Sequence, residues 1–134
     1  MSKESKPTQK QILGKKGEEL AVNFLIEKGF EKLESNFRAG KGSGSNGEID
    51  IIVKKENVIH FVEVKTRKNN NFGNPEEFVS EAQANKISQT AELFLYNYEE
   101  QTQQEFKGFI QFDIISILFE KDILKEIVHL EDAF

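Results

Sequence analysis

The chain has 134 residues, of which 37% are hydrophobic and 31% are charged, and it contains no cysteine. This composition is typical of a globular domain, and a domain of this length buries roughly two thirds of the surface that its unfolded chain exposes. The lack of cysteine excludes disulfides, thiolate zinc sites and a cysteine nucleophile, so any metal must bind to oxygen or histidine.

Charge is divided unevenly along the chain, although the net charge is −5. Residues 1–75 carry 14 Lys and Arg against 10 Asp and Glu, whereas residues 76–134 carry 4 against 13. A protein of net negative charge is not expected to coat nucleic acid non-specifically, because that affinity comes from cations that displace counterions from phosphates. The basic first half is nevertheless suited to face a polyanion.

The sequence offers no segment typical of export or of a membrane span. The polar start MSKESKPTQK lacks the apolar core of a secretory signal. The longest apolar runs are the length of a strand, far below the roughly 18 residues that suggest a membrane span. We therefore expect a cytoplasmic protein without a membrane partner.

Hydrophobic spacing predicts secondary-structure elements in the order αβββαββ. Residues 1–7 are predicted to be a flexible tail, and the first helix runs from about residue 8 to residue 29. The other elements are strands near residues 30–38, 48–54 and 58–66, a helix near 76–98, and strands near 109–119 and 123–130. Because the last strands must reach the sheet across a helix, we predict one α/β domain over residues 8–134, with a mixed central sheet flanked by helices.

Residues 42–47 have the G-x-G-x-x-G spacing of a dinucleotide-binding loop. Such a loop must follow a strand and open a helix whose N-terminus receives the pyrophosphate. Here a strand follows instead, so the segment is predicted to be a hairpin tip and no nucleotide cofactor is expected.

Charged side chains interrupt two predicted strands that should be apolar. In the strand near residues 58–66, both alternating faces are mainly apolar, yet one of them carries Glu63 and Lys65 near its end. Asp50 stands similarly in the preceding strand, and Glu18 lies at the edge of the apolar stripe of the first helix. If the two strands pair in register, these four side chains meet at one point.

Strict alternation also assigns the faces of the strand near residues 48–54. One face is expected to carry Glu48, Asp50 and Ile52, and the opposite face Ile49, Ile51 and Val53.

The four charged residues allow two interpretations. Three carboxylates suit Mg²⁺ or Mn²⁺, which prefer oxygen ligands, and the Lys65 ammonium is placed to orient a water or to stabilise charge on a phosphate. In the other interpretation, Lys65 forms a buried ion pair with Asp50 or Glu63 and has no catalytic role. Spacing alone does not decide between them.

The pattern of Asp50 followed by Glu63-x-Lys65 resembles the D…(D/E)-x-K signature of the restriction-endonuclease-like superfamily, whose core is an αβββαβ sandwich. Segments along nearly the whole chain resemble the bacterial YraN family: Gly14-x-x-Gly17-Glu18, Asn36-x-Arg38, residues 47–52, residues 61–67, Phe72-Gly73, Phe112-Asp113 and Ala133-Phe134. That family is similar to the archaeal Holliday junction resolvases, which use a helix glutamate, an aspartate and an E-x-K. The resemblance implies that Glu18, Asp50 and Glu63 are catalytic metal ligands and that Lys65 is the catalytic lysine.

Further polar residues are candidates for nucleic-acid contacts: Arg38, Thr66, Arg67, Gln83 and Lys86. Thr66 and Arg67 follow Lys65 directly, and arginine can hold a phosphate through paired hydrogen bonds. Gln111 stands where YraN relatives commonly have arginine, which removes one cation from the family pattern. Glu48 could add an oxygen to the metal, but we favour an ion pair with Arg38 or Arg67.

The remaining candidates are predicted to be structural. His60 and His129 are expected to be isolated packing residues that share no metal site, and Asp113 is expected to pair with an arginine. The 12 phenylalanines recur at helical and strand spacing, which predicts a core rather than a platform for stacking bases.

These observations lead to one main hypothesis and two alternatives. The main hypothesis is a Mg²⁺- or Mn²⁺-dependent endonuclease that hydrolyses phosphodiester bonds in branched or structured DNA, and a homodimer by analogy with resolvases. The first alternative is a module on the same fold that binds nucleic acid or a protein and has lost turnover. The second is action on RNA, since no residue of the sequence identifies a contact to a 2′-hydroxyl or to a base.

Overall fold

The computed structural model describes residues 5–39, 47–68 and 79–134. Its elements in chain order are α1 (Gln9–Glu27), β1 (Glu31–Arg38), β2 (Glu48–Lys55), β3 (Val58–Arg67), α2 (Glu81–Thr102), β4 (Phe109–Glu120) and β5 (Ile123–Leu130). The predicted α/β class and the order αβββαββ are confirmed. Most of the predicted hairpin tip at 42–47, the motif residues Phe72 and Gly73, and residues 76–78 lie outside the described ranges.

Both helices begin at a residue whose side chain satisfies a free backbone N–H. The Thr8 hydroxyl accepts from Gln11 N, and the Gln11 side chain accepts in return from Thr8 N. Ser80 caps α2 in the same way, so the predicted start near residue 76 is wrong, and the helix continues to Thr102 rather than ending at residue 98. Within the described ranges, neither helix is long and apolar enough to cross a membrane.

The five strands form one mixed sheet in the order β1-β2-β3-β4-β5. The strands β1, β2 and β3 form an antiparallel meander, β4 lies parallel to β3, and β5 is antiparallel to β4. The parallel pairing runs from Val58 opposite Phe109 to Arg67 opposite Leu118, along the whole of β3. The crossover through α2 thus makes β3 the central strand, as its apolar faces predicted.

The two helices cover opposite faces of the sheet. The α1 face is a buried cluster of Ala21, Leu25, Phe30, Ile51, Val53, Val62, Ile115, Ile117 and Phe119. The α2 face is a second cluster of Ile49, Ile52, Ile59, Phe61, Ile87, Ala91 and Phe94. In that second cluster Phe94 packs edge-on against Phe37 and Phe61, and Phe61 stacks on Phe112, so these phenylalanines belong to the core as predicted.

Strand β2 does not alternate as the sequence predicted. Ile49 packs on the α2 face together with Ile52, whereas Ile51 packs on the α1 face, so the alternation breaks at Asp50. The neighbouring residue of β1, Asn36, has a φ of 53°, a left-handed conformation that a regular strand does not adopt. The irregularity leaves the Asp50 side chain beside β3, where its Oδ2 accepts a hydrogen bond from Val64 N at 2.8 Å.

Gly17 lets α1 approach β3 closely. A Cβ at Gly17 would overlap the Thr66 hydroxyl, whereas a Cβ at Gly14 would meet no atom within 4 Å. We expect Gly14→Ala to raise the free energy of unfolding by about 0.5–1 kcal/mol, because alanine favours helix more than glycine does. The Gly17→Ala change should lower it by about 1–3 kcal/mol through overpacking, measured by urea unfolding.

Thr66→Ala provides the matched test of this contact. In the Gly17→Ala/Thr66→Ala double variant the new methyl group has space, so most of the lost stability should return. Equal losses with and without the Thr66 change would show that α1 does not approach β3 at this point.

Candidate active site

Four residues named from the sequence converge from three elements onto one region of the surface. Glu18 of α1 and Asp50 of β2 line a cavity of about 420 Å³. The same two residues, with Glu63 of β3 and Lys86 of α2, line a second cavity of about 540 Å³. Glu18 also lines a third cavity, of about 880 Å³, together with Lys65. Glu18 therefore stands where the three cavities meet.

Asp50 and Glu63 form the centre of this region. Their carboxylates lie side by side, and that of Glu63 is buried, with 9% of its side chain exposed. Gln83 Nε2 donates to Glu63 Oε2 at 2.5 Å, so the N-terminal turn of α2 fixes the orientation of this carboxylate. Lys65 Nζ lies 3.8 Å from the same oxygen, which is an ionic contact but too long for a hydrogen bond.

Crowding of the acids changes their protonation. Burial, followed by the charge of Asp50, raises the pKa of Glu63 to about 9. Burial also raises the pKa of Asp50, although contact with Glu63 and the hydrogen bond from Val64 N oppose that shift. Burial and the charges of Asp50 and Glu48 raise the pKa of Glu18 to about 6. At neutral pH the Asp50–Glu63 pair therefore shares one proton.

The local charges allow a test of whether a divalent cation suits this site. Glu63 Oε1 is buried and, among the described residues, receives no hydrogen bond. Even with one proton on the Asp50–Glu63 pair, the pair and Glu18 carry about two negative charges at neutral pH against the single ammonium of Lys65, so an isolated ion pair does not account for the arrangement. Oxygen ligands with a surplus of negative charge fit Mg²⁺ or Mn²⁺, which would take the place of the proton that Asp50 and Glu63 share.

Glu48 and Asn36 support the edge of the site. Glu48 Oε2 accepts from Arg38 Nε at 3.1 Å, which is the ion pair favoured from the sequence. In the amide orientation that satisfies both neighbours, the Asn36 nitrogen donates to Glu18 Oε1 at 3.0 Å and to Glu48 Oε1 at 2.9 Å. Asn36 thus ties α1 to β2, a role that spacing did not predict because it depends on the left-handed turn of β1.

The residues proposed for nucleic-acid contacts are distributed around the acids. Thr66 and Arg67 line the cavity of about 880 Å³, and Lys86 lines the α2 side. Arg38 lies at the outer edge, where Glu48 already binds its guanidinium. Gln83 contacts Glu63 directly, so it orients an acid in the site rather than lying outside it.

His60 and His129 are not isolated, which corrects the sequence prediction. Both lie around Asp113, whose Oδ2 is 2.7 Å from His60 Nδ1 and 2.8 Å from His129 Nε2. Asp113 Oδ1 accepts from Gln111 Nε2 at 3.1 Å and from Asp132 N at 2.9 Å. The predicted arginine partner of Asp113 is therefore replaced by two histidines. The contacts run between β3, β4 and β5, which no pattern within one strand reveals.

This histidine cluster also offers a possible set of metal ligands. Ligand atoms of His60, Asp113 and Glu131 lie within 4.8 Å of one another. Asp113 already accepts two hydrogen bonds at each oxygen, so a cation there would have to displace donors. In the described part of the chain, the ligand atoms of Glu18, Asp50 and Glu63 do not all lie within that distance of one another.

Comparison with known proteins identifies relatives over most of the chain. A family model described as the uncharacterised protein family UPF0102 matches residues 17–117. A UPF0102 protein of Clostridium perfringens is 40% identical over 123 residues, which cover 91% of this chain and 93% of the relative. A UPF0102 protein of Dictyoglomus turgidum is 45% identical over 106 residues, which cover 79% and 81%.

Proposed function

This chain belongs to the uncharacterised protein family UPF0102, and from the geometry of its site we propose that it is a metal-dependent endonuclease that hydrolyses phosphodiester bonds in DNA. The membership also confirms the predicted resemblance to the YraN family. The family description assigns no activity, so the proposal depends on the site itself. Branched DNA is the substrate we expect, because the YraN pattern resembles that of the Holliday junction resolvases.

The observation that carries the proposal is the pairing of half-buried Asp50 with buried Glu63, with Lys65 beside them. Adjacent carboxylates in a partly buried site are costly unless a proton or a cation separates their charges. Here the pKa of Glu63 is raised to about 9, one of its oxygens receives no hydrogen bond from the described residues, and a cavity opens beside it. Apolar residues in place of this pair would stabilise the fold as well or better, so stability alone does not explain why these two acids are adjacent.

Each residue has a distinct role in the proposed reaction. When bound, Mg²⁺ or Mn²⁺ would offset the negative charge of a phosphodiester and make an attacking water more acidic. Asp50 and Glu63 would hold the cation, and the Glu18 carboxylate would bind water of the site. The Lys65 ammonium orients the attacking water and stabilises the negative charge that develops on the phosphate. Gln83 keeps the Glu63 carboxylate in position through its hydrogen bond.

Lys65→Ala tests the proposal most directly. The purified protein would be incubated with Mn²⁺ or Mg²⁺ and with labelled single-stranded, duplex, flapped and four-way-junction DNA. We expect cleavage of at least one branched form, and a decrease of roughly 10²-fold in rate for Lys65→Ala, because an electrostatic contribution to the transition state is removed. Lys107→Ala, an exposed lysine before β4, should leave the rate unchanged.

The same panel separates the nuclease from its alternative. If the unmodified protein and Lys65→Ala bind one branched form equally and neither cleaves it, the protein is a binding module on a nuclease fold. Equal cleavage by the two proteins would indicate a contaminating nuclease and would remove Lys65 from the mechanism.

A further inference from the structure

The largest of the three cavities that meet at Glu18 lies between the first half of α1 and the end of β3, and we call it the α1–β3 groove. Its volume is about 880 Å³. Its lining residues are Gln9, Lys10, Leu13, Gly14, Glu18, Val64, Lys65, Thr66, Arg67 and Lys68. Glu18 lines both this groove and the cavities that contain Asp50 and Glu63, so the groove adjoins the acids of the site. A nucleic-acid strand that reaches the site can therefore lie along the groove.

The groove differs in charge from the other two cavities around Glu18. Its described lining carries four cations, Lys10, Lys65, Arg67 and Lys68, and the single acid Glu18. The cavity beside α2 has the opposite character, with Glu18, Glu48, Asp50 and Glu63 against Lys86. The groove is therefore the part of this surface suited to bind a row of phosphates, and the α2 side is not.

The walls of the groove suit a nucleotide rather than an isolated anion. Leu13 and Val64 contribute apolar side chains to the same lining, and the apolar part of a sugar can pack against them. Gly14 lines the same wall without a side chain, and a Cβ there would meet no atom within 4 Å, so the groove stays open. Moreover, α1 has no acidic residue in its first turn, so no carboxylate of that turn offsets Lys10.

We propose that the α1–β3 groove binds the sugar-phosphate backbone of one nucleic-acid strand on one side of the active site. Lys10 and Lys68 make the outer phosphate contacts, and Arg67 holds a phosphate nearer to Lys65. This inference rests on the proposed nuclease function, because that function defines the position of the scissile phosphate. It adds Lys10, on α1, and Lys68, directly after β3, to the substrate contacts.

The groove can be tested by binding alone, with no need for cleavage. Anisotropy of labelled oligonucleotides in EDTA would be measured for Lys10→Gln/Lys68→Gln and for a control, Lys107→Gln/Lys121→Gln, which removes two exposed lysines elsewhere. We expect the groove variant to bind at least about tenfold more weakly and to lower the slope of log affinity against log salt by roughly 1.5–2. The control should change affinity less than about twofold.

Single-stranded DNA, duplex DNA and RNA of one sequence serve as probes. Weaker binding of at least one probe by the groove variant, with the control unchanged, supports the groove. If the two double variants lower the affinity for every probe equally, the groove proposal is wrong, because affinity then depends on net charge alone. Thermal unfolding midpoints that match that of the unmodified protein show that each variant is folded.

The two proposals fail in different ways in these experiments. If the groove variant binds more weakly but the protein cleaves no DNA with Mn²⁺ or Mg²⁺, the groove proposal is supported and the nuclease proposal is rejected. If cleavage depends on Lys65 but affinity does not change when Lys10 and Lys68 are replaced, the nuclease proposal is supported and the groove proposal is rejected.

Discussion

Glu63→Gln is expected to lower metal-dependent cleavage by roughly 10³-fold or more and, in the absence of metal, to stabilise the protein at alkaline pH. The first effect follows from loss of a charged ligand at the centre of the site. The second follows because the buried Glu63 carboxylate beside Asp50 is unfavourable when ionised. Gln83 can still donate to the new amide oxygen, so the substitution keeps the local hydrogen bond.

The pH dependence of stability gives this prediction a definite sign. The pKa of Glu63 rises from an ordinary 4.5 to about 9 on folding, so between these values the folded protein holds one more proton than the unfolded chain. Its stability must then fall as pH rises from about 4.5 to about 9. Glu63→Gln removes the part of this dependence that Glu63 contributes, so the two proteins should be similar near pH 4, and the variant should be the more stable of the two near pH 9.

Urea unfolding at several pH values, with and without Mn²⁺, measures both effects. Metal at ten times its dissociation constant should stabilise the unmodified protein by about 1.4 kcal/mol, and Glu63→Gln should lose that gain. Glu92→Gln, an exposed glutamate of α2, is the matched control and should follow the unmodified protein. Metal stabilisation that survives both Asp50→Asn and Glu63→Gln would show that the cation binds elsewhere.

Asp113→Ala should have the largest effect on stability, a loss of about 3–5 kcal/mol. Asp113 is fully buried and accepts hydrogen bonds from His60, His129, Gln111 and Asp132 N. Its removal leaves these donors without their acceptor in a region that excludes water, and it disconnects β5 and the residues after it from β3. A loss of this size is a large part of the total stability expected for a domain of this length.

Thermal and urea unfolding would measure the effect of Asp113→Ala, with Glu126→Ala on β5 as an exposed control expected within about 0.5 kcal/mol of the unmodified protein. Burial alone would raise the pKa of Asp113, but hydrogen bonds from His129, His60 and Asp132 N hold it below its ordinary value of 3.8. The stability that Asp113 contributes is therefore present above about pH 4 and is lost as pH falls further. A variant as stable as the control at pH 7 would mean that the cluster does not form.

The sequence determined the elements of this protein and most of the residues brought to the site. Hydrophobic spacing placed α1 and the five strands within one or two residues of their observed bounds, because a buried helix stripe and a buried strand face each impose their own period. Charge inside apolar strands marked Asp50, Glu63 and Lys65, because an isolated buried charge is costly and requires a partner. Their roles in catalysis remain predictions.

The tertiary structure determined the contacts between residues of different elements, which the periodicity of a single segment cannot predict. The break of alternation at Asp50 depends on its neighbour Asn36 across the sheet, and the start of α2 depends on the cap at Ser80. His60, Asp113 and His129 come from three strands, so each looked unpartnered or differently partnered in its own segment. The α1–β3 groove likewise joins Lys10 to Lys68, 58 positions apart. Side chains distant in sequence meet only after the sheet has assembled, so their contacts belong to the fold rather than to any one strand or helix.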